Sequence, residues 1–135
     1  MPSYLYLDKR ESANMQPKIV KNKDLNEYFT PEQCFIAENY SAKAVSIARA
    51  TVKPKVTTHS HHLNGVKEIY IITEGVGKVT VGNLSPTEVE AGDVVVIPEG
   101  NSQKLTNIGD ADLVFYCVCT PRFTADCYVD EEKER

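Results

Sequence analysis

The stretch Gly92–Asn107, GDVVVIPEGNSQKLTN, decides how the rest of the chain reads. Its apolar run, Val94 to Ile97, is short and β-branched. A glycine precedes it, and Pro98 and Gly100 follow. Those features describe a strand that ends in a turn, because four residues are too few for a helix and Pro98 removes a ladder donor. Beyond the turn Gln103 and Leu105 sit two apart, which places both on one face of a following strand.

The same period of two recurs outward from this segment. AVSIARATV (44–52) alternates with β-branched residues, EIYIITEG (68–75) and GKVTVG (77–82) repeat the pattern, and DLVFYCVCT (112–120) ends it. Glu74, Gly75 and Val76 read as the turn of a hairpin between the second and third of these. Asn22–Phe29 is short enough for one helical turn. Thr30–Gln33, TPEQ, has a capping-box composition with no amphipathic stripe behind it, so it reads as a turn leading into the strand CFIAENY. Several short strands separated by turn residues predict an all-β sandwich or barrel.

The chain has 135 residues, enough for one domain with a real core. A net charge of −4 provides no basic patch for nucleic acid. The longest apolar runs are too short to span a bilayer, and the start MPSYLYLDKR has no apolar signal region. The expectation is therefore a cytoplasmic protein without membrane or nucleic-acid partners. Four cysteines lack zinc-ribbon spacing, and Cys117 and Cys119 share one strand face, where free thiols pack as small apolar groups. The expected organisation is an arm, turn and edge segment over 1–33, a β-barrel over 34–125 and a charged tail over 126–135.

Two segments together resemble the paired motifs of the cupin superfamily. Gly92, Pro98, Gly100 and Asn107 match the second motif, with Gln103 where that motif has histidine. Glu68, with six residues between it and Gly75, matches the end of the first. The resemblance implies a jelly roll, or double-stranded β-helix, of two antiparallel sheets. It also implies a divalent transition metal (Zn, Fe, Ni, Co or Mn) inside the barrel, since imidazole and carboxylate suit these ions.

The histidines admit two registers. In one, His59 and His61 form the H-x-H pair, with a loop to Glu68 two residues longer than the motif. In the other, counting back from Glu68 places the pair on His61 and Leu63. A regular strand puts 59, 61 and 63 on one face and His62 on the other. The implied ligand set is His59, His61, Glu68 and Gln103, with glutamine known as a ligand in some cupins. Glu68 as a structural carboxylate and Gln103 as a metal-free hydrogen-bonder stand as alternatives. Tyr70, on the face of Glu68, and Arg49, whose fork suits carboxylate or phosphate, are candidate catalytic side chains.

By resemblance the function is a metal-dependent enzyme acting on a small polar molecule, with isomerase, dioxygenase, lyase and cyclase chemistry all open. The alternative is a non-catalytic small-ligand-binding or sensing cupin with a weak or lost metal site. A homodimer is expected, with the N-terminal arm covering sheet edges.

Overall fold

The structure is a computed structural model that describes residues 16–132. The arm expected before Gln16 and the last residues of the charged tail lie outside these limits. Apart from two 3-10 turns, Asn22–Asp24 and Ala125–Cys127, the regular structure among the described residues is all strand. The strands are β1 (Glu27–Phe29), β2 (Phe35–Ala42), β3 (Val45–Val52), β4 (His61–Leu63), β5 (Lys67–Glu74) and β6 (Val76–Val81). They continue as β7 (Thr87–Glu90), β8 (Val94–Ile97), β9 (Gln103–Asn107), β10 (Leu113–Thr120) and β11 (Tyr128–Asp130).

Two antiparallel sheets result, ordered β1-β2-β3-β10-β5-β8 and β11-β4-β9-β6-β7. The all-β jelly-roll expectation is met, and the alternation that predicted it fills the space between the sheets. On β5 Glu68, Tyr70 and Ile72 point inward, and on β9 Gln103, Leu105 and Asn107 do. Ile72, Ile97, Leu105, Leu113 and Val52 are almost wholly buried. Each such aliphatic side chain contributes about 1.5–3 kcal/mol on burial.

The expected hairpin at Glu74–Val76 does not form. β5 pairs with β10 and β8, whereas β6 pairs with β7 and β9, so the chain crosses between sheets there. Gly75 makes the crossing, with φ of 85°. A Cβ at that position would meet the carbonyl oxygen of Asp112 at 2.6 Å. A local glycine signal cannot tell a hairpin turn from a corner between sheets, because both need positive φ.

Asn107, the last residue of the second motif, is fully buried. Its amide donates to Val52 O at 2.9 Å and Ala111 O at 2.8 Å, and its Oδ1 accepts from Gly109 N at 2.9 Å. One side chain thus ties the end of β9 to β3 and to the loop entering β10. Its role is architectural.

Candidate functional site

The two sheets enclose a cavity of about 330 Å³. Its polar wall carries His61 from β4 and Glu68 and Tyr70 from β5. Gln103 of β9, whose backbone pairs directly with His61, is buried but does not line the cavity. β10 brings Cys117 opposite Tyr70 and Cys119 opposite Glu68, so both thiols line the cavity as their shared face implies. All four cysteines are free.

His61 is 5% exposed. Its Nδ1 donates to His59 O at 2.8 Å, which turns Nε2 toward the cavity. Glu68 is buried, and its Oε2 accepts a contact from the Cys119 thiol at 3.5 Å while Oε1 has no partner. Burial raises the Glu68 carboxyl above the usual range, against the opposing pull of His61, Gln103 and Cys119. Gln103 Oε1 accepts a hydrogen bond from Tyr70 Oη, and Gln103 Nε2 is buried without a partner. Tyr70 is buried as well, so its phenol is held above its ordinary value by desolvation and then by Glu68.

The other histidines go elsewhere. β4 begins only at His61, so His59 lies in the irregular segment before it. Its Nδ1 sits 3.3 Å from Asp130 Oδ2, and its side chain does not line the cavity. His62 points away and bonds Glu131 Oε2 at 2.8 Å. Burial alone would raise Glu131, but hydrogen bonds from Ser60, Ser102 and His62 outweigh it and lower the carboxyl. Asp130 is lowered too, first by the Glu132 N–H and then by His59 against a smaller desolvation. Arg49 stands on the outer face of β3, where its Nη2 pairs with Glu27 Oε2 at 3.4 Å. It lines an outer groove, separate from the barrel.

Two cavity residues had no role in the sequence reading. Glu32, from the turn before β2, places Oε2 3.6 Å from His61 Nε2. Burial raises its carboxyl, offset in part by His61 and by Thr30. Its proximity depends on a non-local fold contact and has no sequence signal. Tyr128, on β11, stacks on the His61 ring with centroids 4.8 Å apart, and its Oη is buried without a partner. The alternation in CYVD was its signal, masked by the charges that follow.

The fold family implies a metal, and the donor set was tested against that. Among the described residues no group of three His, Cys, Asp or Glu is arranged to hold one. The cavity-side donors are His61 Nε2, Glu68 and Glu32, while Gln103 Oε1 is bonded to Tyr70 and does not line the cavity. Glu68 Oε1 is the telling atom: no donor reaches it at hydrogen-bond distance, although the Gln103 amide is near enough to lower the carboxyl, and a cation would satisfy it. One imidazole and carboxylate oxygens on the wall are donor types that divalent transition metals take, and Gln103 would join them by turning its amide toward the cavity. His59 joins that set only by leaving Asp130.

The topology and site geometry define a small double-stranded β-helix with its polar residues inside the barrel. Residues 48–119 match the family model described as Cupin domain, and the chain belongs to that family. It is 32% identical over 116 residues to an uncharacterized protein of Methanocaldococcus jannaschii, covering 79% of this chain and 90% of that one. It is similar to a predicted oxalate decarboxylase of Thermotoga maritima, with 25% identity and a TM-score of 0.71 over 77% of this chain and 99% of that one. The nucleoside dehydratase Pac13 of Streptomyces has the same fold, with 9% identity and a TM-score of 0.71 over 85% of this chain and 91% of that one. Among the described residues no helix is long and apolar enough to cross a membrane.

Proposed function

We propose that this cupin binds a divalent transition metal through His61, Glu68 and Gln103 and acts on a small molecule held in the barrel. The observation that carries the reading is the unpartnered Glu68 Oε1 on the cavity wall together with the inward Nε2 of His61, which has Glu32 Oε2 beside it. When bound, the ion would supply Lewis acidity toward an oxygen of the substrate.

The chain's own residues do the remaining work. Tyr70 holds Gln103 through its hydroxyl, so the amide cannot rotate freely. Apolar walls and the two sheets exclude water from the floor. Glu32, near His61 and raised by burial, is placed to give or take a proton at Oε2. The similar solved structures carry names for different reactions, so the fold leaves the reaction class open between isomerase, dioxygenase, lyase and cyclase. A homodimer is part of the proposal, supported by exposed Val94 and Val96 on β8, an edge strand.

A second reading, a ligand-binding or sensing cupin without metal, is favoured by two contacts. The His59 ring is engaged by Asp130, and Gln103 Oε1 is engaged by Tyr70. Elemental analysis of the untagged protein separates the two. The first reading expects close to one metal per chain after supplementation with zinc, iron, nickel or manganese. Less than about 0.1 per chain would sink it and leave the second.

A further inference from the structure

We infer that the cavity selects uncharged, ring-sized ligands and rejects carboxylates and phosphates. The inference rests on reading the cavity as a small-molecule site, and it does not require the metal.

Charge on the wall carries the argument. Among the described residues no lysine or arginine lines the cavity. Three carboxylates do: Glu68 at the floor, Glu32 beside His61, and Glu38 exposed at the rim. His61 is the one imidazole among the lining residues. Anions are held elsewhere by Arg forks, Lys ammonium groups or the N–H groups of a helix N-terminus. None of these is offered here. The helices among the described residues are single 3-10 turns of three residues, and Arg49 is paired with Glu27 outside the barrel. An anion entering this space would lose its hydration, face like charge and gain no cationic partner from the wall.

The rest of the wall states what does fit. Five aromatic rings line it: Tyr28, Tyr70, Phe115, Phe123 and Tyr128. Tyr28 and Phe123 are more than two-fifths exposed, which marks the mouth. An apolar cavity of about 150 Å³ holds benzene, so 330 Å³ holds a substituted ring with room to spare. The polar atoms of lining residues left without partners are an acceptor, Glu68 Oε1, and a hydroxyl that can donate or accept, Tyr128 Oη. A neutral head that both donates and accepts, such as an amide or a hydroxyl, complements them.

Three molecules of nearly one shape and different charge test this: benzamide, benzoate and benzamidine. Each is titrated into the untagged full chain, metal-free and zinc-loaded, with calorimetry for affinity and the His61 ring resonances for location. Benzamide is expected to bind and shift those resonances, with benzoate about tenfold weaker in the metal-free protein. Zinc is expected to narrow that preference without reversing it. Glu32→Gln, and Glu38→Gln as a rim substitution that spares the His61 contact, should each narrow the ratio about twofold to threefold.

Benzoate binding as tightly as benzamide in either form would overturn the inference. So would benzamidine as the tightest of the three, or no binding of any at about 10 mM. Parallel elemental analysis keeps the claims apart. A protein that prefers benzamide but holds no metal retains this inference and loses the metal assignment.

Discussion

A single residue separates His59 from His61, yet one ring faces Asp130 of β11 and the other faces the cavity. Alternation along a strand would have put them together. The strand starts at His61, however, and the segment before it has no ladder to enforce a period. His59 N instead donates to Glu32 O at 3.0 Å, and its ring turns to Asp130. The C-terminal strand and the residue after it thus collect the outer histidines, His59 on Asp130 and His62 on Glu131, while His61 turns its Nε2 into the cavity beside Glu32. The comparison separates fastening from chemistry within four residues of sequence.

The sharpest way to break that division is at the floor. Glu68→Gln removes the anionic donor and should weaken zinc binding by more than about 100-fold, beyond the effect of disturbing an outer partner. The same substitution should stabilise the metal-free protein at neutral pH. The sign follows from burial, which raises the Glu68 carboxyl. The folded state keeps its proton above the pH at which the unfolded chain releases it. Stability therefore falls as pH rises from the ordinary Glu range through the raised value. Denaturant midpoints should slope downward above the ordinary Glu range in the wild type and less steeply in Glu68→Gln, where the raised Glu32 keeps part of the slope. Asp130 and Glu131, lowered in the folded state, contribute the opposite slope, but only at lower pH. A wild type whose stability rises with pH above the ordinary Glu range would contradict the burial argument.

A smaller effect is expected at Gln103. Gln103→His restores an imidazole and should tighten zinc binding about tenfold, read by competition with a chelating dye. Unchanged affinity would show that this side chain is not a ligand. The smallest effect belongs to the outer pairs. Asp130→Asn with Glu131→Gln releases both outer histidines, which are partly exposed. It should lower Tm by about 3 °C or less and leave zinc affinity unchanged, since exposed ion pairs contribute little. A large loss of affinity would mean that the rim holds the floor in place.

The barrel was legible because its signal is local and repeated. Inward Glu68, Tyr70, Gln103 and Leu105 each follow from alternation on strands with clear turns. Gly75 misled because glycine reports a conformation and not a partner strand. Arg49 followed the same alternation to the outer face: it pairs with Tyr116 across β3 and β10, while its neighbours Ala48 and Ala50 line the cavity. Glu32 was invisible, since only the folded turn before β2 brings it to His61. Tyr128 was hidden by the acids behind it, although those acids are what dock its strand beside β4.

The central claim is that the inward nitrogen of His61, and not the ring of His59, belongs to a cation site. Calorimetric titration of zinc into the untagged wild type, His61→Ala and His59→Ala measures it most directly. The account predicts one site in the wild type, none in His61→Ala, and an affinity within about threefold of wild type in His59→Ala. Loss of binding in His59→Ala equal to that in His61→Ala, or retention in both, would contradict it.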